Sequence, residues 1–94
     1  MSGWTFLTNH AQVLLCIAHN PRVTAREIAL SVGITERAVQ RIVADLEAAD
    51  YITRSRDGRQ NSYTIHENQP MRHPAQHGYP ISELLSLLAQ SEQP

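Results

Sequence analysis

The chain has 94 residues and a mass of 10.6 kDa, enough for one compact domain with a modest core. Its length excludes a two-domain enzyme with a large substrate cleft, and its 41% hydrophobic and 18% charged residues exclude a disordered acidic chain. A single cysteine excludes a disulfide scaffold, and no apolar run approaches the roughly 20 residues of a membrane span. Because the first residues lack the basic start and apolar core of a secretory signal, we expect a cytoplasmic protein.

The distribution of charge is more informative than the net charge of −1. All eight basic residues are arginines, and they lie between Arg22 and Arg72. Because Glu83 and Glu92 fall outside this window, the middle of the chain is slightly basic and its C-terminal end slightly acidic. Arginine suits bidentate contacts to phosphate and guanine, although codon bias in a GC-rich genome explains the absence of lysine equally well.

Two helices are predicted in the first third of the chain. The first is capped by Thr8 or Asn9 and ends near His19, just before an Asn-Pro pair. The second begins after Thr24, which has the spacing of a capping box with Glu27. A short extended piece joins the two helices.

A third helix, capped by Thr35, is predicted to run to about Ala49, with apolar residues at the spacing of one buried face. The turn before it is informative because Ala29, Gly33 and Val39 have the spacing A-x3-G-x5-V. The alanine lets two helices cross closely, the glycine takes the positive φ of a tight turn, and the valine fills the angle between the helices. This spacing predicts a helix-turn-helix.

A β-hairpin is predicted next, because the apolar period changes from that of a helix to that of a strand. Its strands, residues 51–56 and 60–66, flank an Asp-Gly pair, which is a strong signal for a two-residue turn. This turn would place Arg56 opposite Arg59. Like charges directly across a hairpin are destabilising, so the pair favours an anion between the two arginines.

The rest of the chain is predicted to contain a linker and a helix. Each proline biases the preceding residue away from helix, so residues 68–80 are predicted as an extended linker. The helix that follows has more leucines than so small a domain can easily bury, which indicates contact with a second copy. The predicted dimer contacts are Trp4, Phe6, Leu84, Leu85, Leu87 and Leu88.

The element order is that of a winged helix-turn-helix. We predict an α+β, mainly α fold: a three-helix core with a β-hairpin wing over 1–67, the linker over 68–80, and a C-terminal helix and tail, serving dimerisation, over 81–94.

The sequence resembles a known class of regulators at several points. The run 33–43 (GITERAVQRIV), followed by 45–47, 51–52 and 57–59, is similar to small prokaryotic regulators of the MarR/ArsR-like winged-helix class. The resemblance extends towards both ends of the chain. It implies a homodimer that binds operator DNA, with the third helix in the major groove and the hairpin as a wing over the minor groove. Full-length MarR proteins are longer, and the paired cysteines of metal-sensing ArsR proteins are missing, so no effector class carries over.

The polar residues of the predicted third helix and wing support DNA binding independently of the resemblance. Glutamine and arginine in the first turns of the helix have the geometry to read base edges, and arginines in the wing suit phosphates or a narrow minor groove. The start of the second helix either offers N–H groups to a phosphate or is simply capped. The candidate DNA-binding residues are Thr24, Arg26, Thr35, Glu36, Arg37, Gln40, Arg41, Arg54, Arg56, Gly58 and Arg59.

The sequence does not favour an enzyme, a cofactor or a metal site, because it has no nucleophile–base pair, phosphate-binding glycine loop or metal-ligand cluster. Cys16 lies in an apolar run and is predicted to be a core residue. His73 and His77 are four residues apart, but the prolines and glycine around them do not support a metal site on a helix.

Two other functions fit the sequence. One is a winged-helix protein–protein interaction module without specific DNA binding, which the mild net charge allows. The other is a regulator that responds to pH or to an unidentified small-molecule effector, which would need a cavity near Trp4 and the C-terminal helix. A DNA binder should lose affinity with salt and on substitution of Arg37 or Arg41, whereas a protein module should depend on apolar surface.

Overall fold

The structure, a computed structural model, describes residues 3–89. In chain order its elements are α1 (Asn9–His19), α2 (Ala25–Val32), α3 (Glu36–Ala48), β1 (Ile52–Asp57), β2 (Gln60–Ile65), a short 3-10 helix (Pro74–Gln76) and α4 (Ile81–Leu88). The predicted winged helix-turn-helix with a C-terminal helix is therefore confirmed. The predicted tail at residues 90–94 lies outside the described residues.

The first three helices begin where the sequence predicts, because a threonine caps each of them. The Thr24 hydroxyl accepts a hydrogen bond from the Glu27 amide at 3.1 Å, and the Glu27 carboxylate accepts one from the Thr24 amide at 3.0 Å. This completes the capping box of α2. Thr8 and Thr35 accept from the amides three residues further on, and Gly33 ends α2 with a left-handed φ of +85°.

The C-terminal end of α3 is a Schellman motif whose left-handed residue is Asp50, at φ +69°, in place of the usual glycine. The Tyr51 amide donates to the Leu46 carbonyl at 2.9 Å, which closes the motif. The His66 ring lies against it, with Nδ1 2.7 Å from the Asp50 carbonyl and Nε2 2.6 Å from the Thr53 hydroxyl. The end of α3 is thereby fixed to the base of the hairpin.

One hydrophobic core joins the helices to the base of the hairpin. Its most deeply buried side chains are Ile17, Ile28, Ile52, Val13 and Val39. α4 adds Ile81 and Leu85 to the same core, and Cys16 is half-buried against it. Leu85, one of the predicted dimer contacts, is only 8% exposed, because its side chain packs within its own chain.

The predicted extended linker over residues 68–80 is wrong in shape, because the segment folds back into a closed loop. Pro70 and Pro80 form an antiparallel bridge, and the Ile81 amide donates to the Gln69 carbonyl at 2.9 Å. The Tyr51 phenol donates to the Pro70 carbonyl at 2.6 Å, which fastens the loop beside the end of α3. The two ends of the segment therefore lie side by side.

We expect Tyr51→Phe to lower the free energy of unfolding by about 1 kcal/mol at neutral pH, because the Pro70 carbonyl loses its donor. Burial raises the pKa of the Tyr51 phenol, and the charge of Arg72 offsets part of this effect. The raised pKa stabilises the fold below the ordinary value of 10.0 and stops doing so as the pH rises through the folded-state value. Urea unfolding from neutral to alkaline pH measures both effects. Equal stability of variant and wild type at every pH would contradict the prediction.

The predicted hairpin is present, but its register differs from the predicted one. Arg56 pairs with Asn61, and the turn consists of Gly58 and Arg59. Gly58 takes the first central position at φ +66°, as in a type II′ turn, whereas the Asp-Gly signal predicts a turn one residue earlier. The predicted Arg56–Arg59 pair is therefore wrong, and it no longer supports an anion between these two arginines.

Candidate nucleic-acid interface

α3 turns one polar face to solvent while its opposite face is buried in the core. Each residue advances the helix by about 100°, so Arg37, Arg41 and Ala44 follow the centre of the exposed face. Gln40 lies at its edge, on the side of the hairpin. We call these exposed residues the α3 face: Glu36, Arg37, Gln40, Arg41 and Ala44.

The hairpin, which we call the wing, places its arginines at two different positions. Arg54 pairs with the buried Tyr63, so its side chain lies on the face of the wing directed towards α3. Its Nη2 atom is 3.6 Å from Oε1 of Glu47, and the two side chains are 45% and 36% exposed. Arg56 and Arg59 lie at the exposed tip, where Nε of Arg56 donates to the Gly58 carbonyl at 3.4 Å.

A cleft of about 300 Å³, which we call the wing cleft, separates α3 from the wing. Buried Val39 and Val43 form its floor, and polar side chains form its rim. Its lining residues are Ala25, Val39, Gln40, Val43, Arg54, Asn61 and Tyr63. Asn61 was not among the predicted site residues, although the strand period that places Tyr63 and Ile65 on one face also includes it.

At the start of α2 the capping box already binds two backbone amides: the Glu27 amide donates to the Thr24 hydroxyl, and the Thr24 amide donates to the Glu27 carboxylate. Arg26 is exposed beside it. A residue that was not predicted, Arg22, donates from Nη1 to Oε1 of Gln60 at 3.0 Å. This contact joins the turn before α2 to the wing and helps to fix the wing against the helices.

Exposed apolar side chains are also found on the N-terminal segment and on α4. Trp4 and Phe6 are 69% and 92% exposed, and their rings meet edge to face with centroids 5.2 Å apart. On α4, Leu87 is 73% exposed, while Leu84 and Leu88 are half-buried. Five of the six predicted dimer contacts therefore have surface available for a partner.

One of the two histidines near the 3-10 helix, His73, makes a side-chain hydrogen bond to the backbone. His73 Nδ1 accepts from the Ala75 amide at 3.0 Å and caps the 3-10 helix. Within residues 3–89 no group of three or more His, Cys, Asp and Glu side chains is arranged to hold a metal ion. In the same part of the chain, no helix is long and apolar enough to cross a bilayer.

Residues 4–60 match the sequence model of the MarR family. The match covers more than half of the chain, from the segment before α1 to the first residue of β2. The chain belongs to the MarR family. The MarR part of the resemblance is thereby confirmed, and this MarR-family protein is a winged-helix DNA-binding transcriptional regulator rather than a member of an enzyme family. A comparison with curated proteins finds no match.

Proposed function

We propose that this MarR-family protein is a sequence-specific, homodimeric regulator whose α3 face enters the major groove of its operator. The observation that supports this most strongly is the α3 face itself, which presents Arg37, Gln40 and Arg41 from the first turns of a helix packed on the core. Helix-turn-helix proteins contact bases with these turns. Arginine is suited to guanine, and glutamine to adenine.

The wing lies over the adjacent minor groove in this proposal, where its exposed tip meets phosphates or the groove floor. Glu36 accepts from a cytosine amino group or favours the dipole of α3. Arg26 and the capped helix starts meet the DNA backbone. The proposed contacts outside the α3 face are Thr24, Arg26, Thr35, Arg54, Arg56, Gly58 and Arg59.

Fluorescence anisotropy tests DNA binding, using labelled duplexes from the gene's own upstream region at two salt concentrations. We expect tight, salt-sensitive binding to at least one duplex, and this binding should persist when unlabelled competitor DNA is added. Absence of binding by the folded protein at low salt would overturn the proposal. It would favour the protein–protein interaction module, for which the exposed Trp4, Phe6 and Leu87 offer an apolar contact surface.

We expect Arg56→Ala to weaken binding to all duplexes alike, because a wing-tip arginine contacts phosphates rather than bases. The slope of log K against log salt should become shallower by about one unit. Arg72→Ala, in the loop before α4, is the matched control and should leave the slope unchanged. An unchanged slope in Arg56→Ala would remove the wing tip from the proposed interface.

The homodimer is supported by the exposed aromatic and leucine side chains at the N-terminal segment and on α4. A large aromatic side chain can bury about 150–250 Å², and specific interfaces bury about 1,600 Å² in total, so a two-fold pairing of these segments suits a dimer. Such a dimer would present two α3 faces to half-sites about one helical turn apart.

We expect Leu87→Glu to shift the protein from dimer to monomer in sedimentation velocity, because a carboxylate would be buried at the interface. Leu30→Glu is the control, since Leu30 on α2 is 76% exposed and Leu87 73%. If both variants sediment like wild type, α4 does not form the dimer interface.

A small-molecule effector is also supported by one feature of the structure. A cleft of about 390 Å³ lies between α1, the end of α3 and α4, with Leu14, Tyr51, Met71 and Leu84 among its lining residues. Its volume is in the usual range of about 300–1,000 Å³ for ligand pockets. If the proposal is right, a ligand bound there changes the affinity for the operator, which the anisotropy assay measures directly.

A further inference from the structure

The wing cleft lies between the two parts of the protein that the proposed function places in neighbouring grooves. In B-DNA one sugar–phosphate strand separates a major groove from the adjacent minor groove. If α3 enters one groove and the wing tip the other, that strand has to pass between them. The wing cleft is the space between α3 and the wing in the free protein.

The rim of the wing cleft carries groups suited to a phosphate. Gln40 on α3, Arg54 on β1 and Asn61 on β2 all line it. A guanidinium forms strong charge-assisted hydrogen bonds with phosphate oxygens, and carboxamide N–H groups donate to the same oxygens. Arg54 and Asn61 lie on the same face of the wing. Arg54 pairs with Tyr63, and Asn61 is two residues from Tyr63 on β2, so all three side chains lie on one side of the hairpin.

Glu47 on α3 is a carboxylate that contacts Arg54 at this rim. It lies seven residues after Gln40, or about two turns, and therefore on the same side of the helix. In the free protein its Oε1 atom is 3.6 Å from Nη2 of Arg54. Because both side chains remain partly solvated, this ion pair is weak and a phosphate can displace the carboxylate.

We propose that the wing cleft holds a backbone phosphate bound by Arg54 and Asn61, and that Glu47 competes with this phosphate for Arg54. The inference rests on the proposed function and assigns to a phosphate the arginine Arg54, which that proposal names only as a DNA contact of the wing. Glu47 then lowers the affinity for every duplex, because it competes with a phosphate contact that carries no sequence information. As a result, contacts of the α3 face with bases contribute a larger fraction of the binding free energy at an operator.

The test measures affinity for a labelled duplex of random sequence over a series of salt concentrations. We expect Arg54→Ala to weaken binding about tenfold and to make the salt slope shallower by about one unit. Asn61→Ala should weaken binding about threefold without changing the slope, because the side chain is neutral. Glu47→Gln should bind several-fold more tightly than wild type.

The double variant Arg54→Ala/Glu47→Gln separates competition from a general change of charge. If Glu47 acts through Arg54, the double variant binds no more tightly than Arg54→Ala; a general charge effect would tighten both backgrounds equally and overturn the competition. Arg54→Lys keeps the charge and should restore the salt slope, which excludes a folding defect as the cause. Arg72→Ala is the control arginine.

The outcomes distinguish this inference from the proposed function. If wild type binds the duplex and Arg54→Ala matches it in affinity and slope, the phosphate site is overturned and DNA binding stands. If folded wild type does not bind duplex DNA even at low salt, the proposed function fails and the phosphate site fails with it.

Discussion

Replacing both Arg37 and Arg41 by alanine is expected to lower the affinity for an operator duplex by about a hundredfold or more. Each arginine that reads a base contributes about 1–3 kcal/mol, and the α3 face carries both on the exposed side of one helix. Alanine is a strong helix former, so α3 should remain folded. Anisotropy against an operator duplex and a random duplex measures the loss.

The matched control for this prediction is the Arg37→Lys/Arg41→Lys variant. Lysine keeps the positive charge but lacks the planar fork that contacts guanine in a bidentate manner. We therefore expect it to bind the random duplex nearly as well as wild type and to lose most of the preference for the operator. If the alanine variant keeps the wild-type preference, the α3 face does not read the sequence.

Gly33→Val is expected to lower the free energy of unfolding by about 1–3 kcal/mol. Gly33 has φ +85°, which a β-branched residue strongly disfavours. Among the described residues, apart from Gly33 and its two chain neighbours, no atom lies within 4 Å of a Cβ built at this position, so the destabilisation comes from the backbone and not from a clash. A domain of this size has about 5–14 kcal/mol of stability in total, so the loss is large. Urea unfolding followed by circular dichroism measures it.

Gly33→Asn is the control for backbone strain, because asparagine adopts left-handed conformations more readily than other non-glycine residues. Its destabilisation should be clearly smaller than that of the valine variant. Equal destabilisation by valine and asparagine would point to a cause other than φ. A valine variant as stable as wild type would contradict the assignment of this turn.

Features decided by neighbouring residues were predictable from the sequence. The capping box of Thr24 and Glu27 and the left-handed Gly33 depend on contacts within one or two helical turns. The buried face of α3 follows from helical periodicity alone, and the α3 face is the opposite side of the same helix. Most of the candidate site was therefore visible before the fold was known.

Features decided by distant residues were not predictable. The turn of the wing lies one residue later than predicted, with Gly58 at its first central position. Contacts at the base of the wing, such as the 2.9 Å bond from the Tyr63 amide to the Pro21 carbonyl, hold this register. The closed loop before α4 depends on Tyr51 reaching Pro70. The position of Arg54 beside Glu47 follows from this register and from the packing of the wing on α3.

Titration of the isotope-labelled protein with an operator duplex, followed by backbone amide NMR shifts, locates the DNA-binding surface directly. A chain of 10.6 kDa is well within reach of this method. We predict that the largest shifts fall in residues 35–44 and 54–61, with little change in α4. Shifts confined to α4 and the segment around Trp4 and Phe6, with none in α3 or the wing, would contradict DNA binding through the winged helix.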